Sequence, residues 1–186
     1  MSWYPNFHPG FIASRRYPLS PAVVAGTAVA AVNTIYWLPF ILPAQLAITK
    51  MSIQSTAGGA GSAVKMGIWA NSPVSMRPLG APIVADNTGA ATTGTGSIDS
   101  AAVSATLDVG NLYWAGMKFT GTLPSVEVIT NLRASGLAFL FGAKTSNVNK
   151  AFSFADAYAN AMPTLAEGAT FTDLATDVVP LMYAVT

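Results

Sequence analysis

The chain has few of the residues on which protein chemistry most often depends. Its 186 residues include no cysteine and one histidine, His8. Without cysteine there are no disulfides and no thiolate metal sites, and the redox compartment stays open because such chains occur on both sides of a membrane. One histidine excludes a His-based metal site within one chain. Three His8 side chains around a trimer axis remain the alternative to a solvated loop histidine.

Charge is the other shortage. The chain carries 9 basic and 8 acidic residues, so 9% is charged against roughly 25% in typical soluble domains, while 52% is hydrophobic. A solitary domain uses charged side chains to keep large apolar patches out of water. The sequence therefore predicts that other subunits cover much of the surface. With a net charge of +1 and no basic cluster beyond Arg15 and Arg16, we expect no nucleic-acid partner.

Part of the sequence is compatible with a membrane span or a secretion signal. Residues 22–42 are apolar and long enough to span a bilayer as a helix. The run "SRRYPL" (14–19), followed by "AVA" (28–30), resembles a twin-arginine leader. Against the span, Pro39 and Pro43 interrupt a helix, and the neighbouring residues are β-branched and aromatic. We therefore expect neither an anchor nor a leader, and no membrane partner.

From residue 34 onward the apolar residues alternate in short runs separated by Gly, Pro, Asn, Asp and Ser. This pattern is typical of an all-β sandwich or barrel. Residues 131–176 are harder to assign, and 149–165 favour a loop with a helical turn over a short helix ended by Pro163. The candidate strands are 34–42, 46–56, 63–71, 81–86, 107–120, 125–130 and 177–186, and the tract of small residues at 87–107 is also expected to form strands.

The run 107–120, "LDVGNLYWAGMKFT", is apolar on both sides of a strand. One side carries Tyr113 and Phe119, and the other carries Trp114 beside Lys118. Such a strand must be covered on both faces. Trp37, Trp69 and Trp114 are expected in the core, although exposed tryptophans would instead stack on sugar rings. The predicted core residues are Tyr36, Phe40, Ile68, Trp69, Tyr113, Trp114 and Phe119.

Three groups of residues have part of a chemical motif. The run 136–145 has the glycines and lysine of a phosphate loop, but a residue intervenes between Gly142 and Lys144. The other two groups are acidic: Glu167, Asp173 and Asp177 for acid–base chemistry, and Asp86 and Asp99, with Asn87 and Thr88, for calcium. Acidic side chains are mostly solvated unless they are paired. We therefore expect no enzyme, no metal and no cofactor.

Several stretches together resemble the jelly-roll domain of tailed-bacteriophage virion proteins, which occurs in head fibres, spikes, decoration proteins and some tail fibres. Gly67-Ile68-Trp69 is similar to that family's "GIY" strand. Its "G-x-YW-x-A" strand is similar to Gly110, Tyr113, Trp114 and Ala115, with one additional residue after the glycine. The resemblance covers about residues 35–186 and rests on turn glycines and core aromatics. The stretches are "YWLPF" (36–40), "VKMGIWAN" (64–71), "PIVADNTGA" (82–90), "LDVGNLYWAGM" (107–117) and residues 162–185.

The resemblance implies a jelly-roll sandwich of about eight antiparallel strands and a role in the virion. It implies a homotrimer, or another assembly, that decorates the capsid or contacts the host. No functional residue is carried over from the family. The sequence accordingly divides into an extended anchoring arm (1–33) and a sandwich (34–186).

The arm is rich in aromatic residues and prolines, which exclude a helix and favour burial in a partner. The alternative is that the arm packs back on its own sandwich. The predicted partner-binding residues are Trp3, Tyr4, Phe7, Phe11, Arg15, Arg16 and Tyr17.

The leading interpretation is a non-enzymatic structural virion protein attached to the capsid or another fibre protein through its arm. A second is a tail-fibre or spike tip that binds host-surface carbohydrate, which exposed Trp or Tyr at a loop end would favour. A third, a secreted glycan-active enzyme, requires a cleft with two carboxylates.

Overall fold

The computed structural model describes residues 10–19, 26–28, 31–129, 152–173 and 179–186. Within these ranges the chain is all-β and contains no helix, so no helix there is suited to crossing a membrane. The strands are β1 (Arg16–Pro18), β2 (Gly26–Ala28), β3 (Thr34–Ile41), β4 (Leu46–Ile48), β5 (Lys50–Ala57), β6 (Ala63–Asn71), β7 (Pro78–Ala91), β8 (Gly96–Asp99), β9 (Ala105–Leu107), β10 (Leu112–Thr120), β11 (Ser125–Ile129), β12 (Phe152–Ala155), β13 (Thr172–Asp173), β14 (Val179–Pro180) and β15 (Tyr183–Val185).

The strand pairs from β2 to β11 are nested inside one another. β6 pairs with β7, β5 with β8, β4 with β9, β3 with β10, and β2 with β11, all antiparallel. This part of the chain is therefore folded as one long hairpin whose midpoint is the β6–β7 turn. The remaining strands come from the two ends of the sequence.

Two large sheets share one core, as in a β-sandwich. The six-stranded sheet has the order β13-β12-β3-β10-β6-β7, and the seven-stranded sheet contains β1, β15, β5, β11 and β14 with β2 and β8 at its branches. Alternate residues of β3, β6 and β10 point into the space between the sheets and meet Met51, Ile53 and Val126 from the other sheet.

The seven predicted core residues are all buried, but they fall into two clusters. Tyr36, Phe40, Ile68, Tyr113 and Phe119 belong to the core between the sheets. The tryptophans at 69 and 114 belong to a second cluster on the opposite side of the six-stranded sheet. The strand expected over 107–120 is observed as β10, which begins at Leu112, and it is covered on both faces, as its sequence predicts.

Some elements differ from the sequence prediction. The expected short strand at 81–86 is part of the 14-residue β7, whose pairing with β6 is interrupted by two register shifts. Residues 152–155 form a strand, and the residues after them contain turns but no helix. One terminal strand is expected at 177–186, whereas the structure has two short strands there, β14 and β15.

Two glycines make room for the tryptophans. Gly67 and Gly116 are register partners on β6 and β10, and Gly116 also lies opposite Trp37 on β3. A Cβ on Gly116 would lie 2.7 Å from the ring of Trp37 and 2.9 Å from that of Trp69. The two indoles pack edge to face over these glycines, with centroids 4.5 Å apart.

We predict that Gly116→Ala lowers the free energy of unfolding by about 1 to 3 kcal/mol, because the new methyl group overpacks a region that has no room for it. Gly94→Ala is the matched control, since a Cβ there meets nothing within 4 Å. Urea denaturation of both variants measures the difference. Equal stabilities for the two variants would contradict this packing.

Candidate functional site

The candidate site lies on the outer face of the six-stranded sheet, which is turned away from the shared core. Its main feature is a pair of buried lysines. Lys65 on β6 and Lys118 on β10 are register partners on this face, and both are buried. Next along the strands come the two glycines, and then the pair Trp69 and Trp114. Residues 156–168, which we call the cover segment, lie over this face and form no sheet strand of their own.

Lys118 binds the start of the cover segment. Its side chain is wholly buried, and its Nζ forms a short ion pair with the Asp156 carboxylate. The same ammonium donates to the backbone carbonyls of Ala157 at 3.1 Å, Asn160 at 3.0 Å and Ala161 at 3.2 Å. A buried charge is tolerated only when it is paired and hydrogen-bonded, and this arrangement provides both.

Lys65 binds the same turn from the neighbouring strand. Its Nζ donates to the carbonyls of Tyr158 and Asn160, both at 2.9 Å, and lies 4.9 Å from the centroid of the Tyr158 ring. The Asn160 carbonyl therefore accepts from both lysines. Two ammonium groups thus replace the hydrogen bonds that a strand or helix would give these carbonyls.

The two lysines affect each other electrostatically. Burial lowers the pKa of Lys65, and the positive charge of Lys118 lowers it further. The carboxylates of Asp156 and Asp86 act in the opposite direction and raise it. Folding therefore favours the neutral form of Lys65 relative to the unfolded chain.

Other contacts tie the rest of the cover segment to the sheet. They involve side-chain amides, one indole and two pairs of backbone groups, and they satisfy polar groups of an irregular backbone. The contacts are Tyr158 N to Asn33 Oδ1 (2.9 Å), Asp156 N to the Asn33 carbonyl (3.0 Å), Met162 N to Asn87 Oδ1 (2.6 Å), Trp69 Nε1 to the Pro163 carbonyl (3.1 Å), and Gly80 with Leu165 through both backbone bonds (2.8 and 2.9 Å).

Lys65, Lys118 and Asp156 hold the cover segment on the sheet, and we call these three residues the clamp. The lysine protons point at carbonyl and carboxylate oxygens, and an ammonium group is not a nucleophile. What the site does is fix about a dozen irregular residues over three tryptophans. It joins two parts of the sequence that lie some forty residues apart or more.

The predicted calcium oxygens are engaged by the protein itself. The Asp86 carboxylate accepts from the backbone amides of Thr88 at 2.9 Å, Gly89 at 3.2 Å and Ala101 at 3.1 Å. Asp99 forms ion pairs with two basic side chains. Within the described ranges no group of three or more acidic, His or Cys residues is arranged to hold a metal.

The predicted acid–base residues are not seen together. Glu167 is exposed, and hydrogen bonds from Ser75 and Ser72 lower its pKa. Asp177, the side chain of Asp173, and the run 136–145 lie outside the described residues.

Residues 10–19 of the predicted arm pack on their own sandwich. β1 pairs with β15, Arg16 binds Asp99 at 2.6 Å, and the rings of Phe11 and Tyr17 meet edge to face at 4.7 Å. β2 also pairs within the seven-stranded sheet. The alternative in which the arm packs on its own sandwich therefore holds for residues 10–19 and for β2. Partner binding by the arm stays a prediction. The side chain of Arg15 is exposed, and Trp3, Tyr4, Phe7 and His8 lie outside the described residues.

The tryptophans of the sandwich do not offer a sugar-stacking surface. Trp37, Trp69 and Trp114 are fully buried. The exposed aromatic platform that would favour a carbohydrate-binding tip is therefore not supplied by these three residues.

Comparison with known proteins gives no family. No protein-family model matches the chain, and no curated protein matches it significantly. Its function is therefore inferred from the fold and the surface.

Sequence reasoning missed the clamp. It placed Lys118 correctly on the Trp114 side of its strand, but assigned no role to it, to Lys65 or to Asp156. The available signal was a lysine within each of two largely apolar strands, between Met117 and Phe119 in one of them. A lysine that interrupts a doubly buried strand requires a nearby acceptor.

We predict that Lys118→Met lowers the free energy of unfolding by about 3 to 5 kcal/mol, because the Asp156 carboxylate loses its ion-pair partner and the carbonyls of Ala157 and Ala161 lose their donor. Lys50→Met is the control. That lysine is 44% exposed and lies 3.7 Å from its acidic partner, so its loss should cost about 1 kcal/mol or less. Similar losses in both variants, measured by chemical denaturation, would show that Lys118 is not a buried anchor.

A second prediction concerns pH. The pKa of Lys65 is lowered from 10.5 in the folded chain, so between that lowered value and 10.5 the unfolded chain binds more protons and stability rises with pH. Lys65→Met should lack this contribution. We expect the stability of the wild type relative to Lys65→Met to increase from pH 7 to pH 10.5 in parallel urea titrations. A constant or falling difference would refute the assigned direction.

Proposed function

We propose that the chain is a non-enzymatic structural component of a tailed-phage virion, an oligomeric decoration, spike or fibre protein that most simply forms a homotrimer. The observation that carries this proposal is the use of charge. Few ionic side chains are present, and three of those described, Lys65, Asp86 and Lys118, are buried. An isolated domain with such a surface is poorly protected from association.

Charged side chains are buried, or bind other groups of the same chain, in several parts of the molecule. Lys65, Lys118 and Asp86 are buried, and Asp156 belongs to the clamp. Glu127 accepts a short hydrogen bond from the hydroxyl of a neighbouring tyrosine. The exposed positions of the loops are largely Gly, Ala, Ser and Thr, which other backbones can approach closely.

The nested pairing supports a jelly roll. Taking β2, β3, β5, β6, β7, β8, β10 and β11 as eight successive strands, the first pairs with the eighth, the second with the seventh, the third with the sixth and the fourth with the fifth. One sheet then holds the first, eighth, third and sixth strands, and the other holds the remaining four. An eight-stranded double-sheet jelly roll, the architecture of many capsid domains, is rolled up in this way.

Attachment to neighbouring subunits is assigned to the segment before Gly10. Residues 10–19 already contact their own sandwich. The preceding residues contain Trp3, Tyr4 and Phe7, and aromatic side chains of this kind dominate interface energies.

We predict that native mass spectrometry of the full chain gives an oligomer, three chain masses being expected. Particles purified on a density gradient from cells that carry the encoding phage genome should contain the chain in fixed proportion to the capsid protein. A stable monomer at micromolar concentration, or absence of the chain from purified particles, would overturn the proposed function.

A further inference from the structure

One methionine of the described residues differs from the others in its exposure. Met76, in the β6–β7 turn, is 43% exposed, whereas the other methionines that the structure describes are at most 4% exposed. A peroxide reaches a buried thioether only when the structure opens around it. Among the described residues, Met76 is therefore the methionine that an oxidant meets first in the folded chain. The buried methionines are Met51, Met66, Met117, Met162 and Met182.

The backbone around Met76 is held by a set of hydrogen bonds. Met76 has a φ of +54°, in the left-handed region that few non-glycine residues adopt. Its backbone amide donates to the Ser72 carbonyl at 3.0 Å, and the Ser72 amide donates to the Arg77 carbonyl at 2.8 Å. The Ser72 hydroxyl accepts from the amides of Val74 at 3.1 Å and Ser75 at 3.0 Å. These bonds fix the point from which the Met76 side chain leaves the turn.

A side-chain amide faces the sulfur. Asn71 Nδ2 lies 3.6 Å from Met76 Sδ, within the range for a sulfur acceptor, and also donates to the Ser72 carbonyl at 2.8 Å. Asn71 Oδ1 accepts from Trp114 Nε1 at 2.9 Å. The amide therefore cannot flip without losing two hydrogen bonds. The exposed thioether is thus connected, through Asn71, to an indole that is fully buried.

The thioether is the weakest acceptor among these contacts. A thioether sulfur accepts hydrogen bonds poorly, whereas oxidation converts the side chain to a polar sulfoxide whose oxygen is a stronger acceptor. At Met76 a donor is already in place, so oxidation should strengthen the contact with Asn71. The same change at a buried methionine would put a polar oxygen into the apolar core, which costs stability.

We propose that Met76 is an oxidation site of the folded chain, at which hydrogen peroxide produces a sulfoxide whose oxygen accepts a hydrogen bond from Asn71 Nδ2. The sulfur lone pair attacks one peroxide oxygen, so the S–O bond forms as the O–O bond breaks. The second oxygen leaves as water with both protons. The sulfur is oxidised by two electrons and the peroxide is reduced by two.

The modification changes the turn without unfolding the sandwich. The sulfoxide stays at the surface, and Asn71 keeps its bonds to the Ser72 carbonyl and to the Trp114 indole. Methionine sulfoxide reductases restore the thioether, so the change is reversible. The exposed sulfur thus takes up oxidant at a position where the fold accommodates the product.

Peptide mapping by mass spectrometry tests the site. The full chain is treated with dilute hydrogen peroxide, and the gain of one oxygen is followed at each methionine over time. We expect Met76 to be oxidised at least about tenfold faster than the five buried methionines, because they react only after the structure opens. In urea that unfolds the chain, the rates should become similar. Equal rates in the folded chain, or a slower reaction at Met76, would overturn the inference.

A second measurement separates the contact with Asn71 from exposure alone. In amide NMR spectra of the folded chain, oxidation should move a side-chain amide proton of Asn71 downfield and shift the indole N–H signal of Trp114, while the dispersed backbone signals remain. Met76→Leu is the matched control, since leucine is similar in volume but has no acceptor and no sulfur. Its Asn71 and Trp114 signals should not respond to peroxide. Oxidation of Met76 with no change at Asn71, or with loss of the folded spectrum, would show that the inference is wrong.

Discussion

The structure depends on one constraint: the six-stranded sheet is apolar on both faces and must be covered twice. The inner face meets the second sheet in the usual manner of a sandwich. The outer face presents three large indoles, which would cost several kcal/mol each if left in water. A segment of about a dozen residues after β12 supplies the second cover.

The cover segment explains the placement of charge. Because it forms neither a helix nor a sheet strand, its carbonyls have no regular partners, and buried carbonyls without partners are costly. Lys65 and Lys118 meet that need from the sheet below. A chain with few charged residues thus uses two of its lysines in the interior, and the surface is left correspondingly poor in charge.

Much of the fold follows from local patterns. Alternation of apolar residues predicts β3, β6 and β10, and the two-sided pattern of "LYWAGM" predicts that a second layer must exist. The sequence does not show what that layer is, because the acceptors for Lys118 lie some forty positions further on in an irregular segment. Local patterns also do not predict how residues 10–19 pack, because β1 pairs with a strand at the opposite end of the chain.

Amide hydrogen exchange of residues 156–168 tests the two-sided cover most directly, because it reports whether this segment opens apart from the sheet. If the segment is an integral layer, the amides that it hydrogen-bonds to the sheet, those of Tyr158, Met162 and Leu165, should exchange as slowly as those of β10, through global unfolding alone. Rapid exchange of these three amides while β10 remains protected would contradict the account, since the tryptophan face would then open to water without unfolding the sandwich.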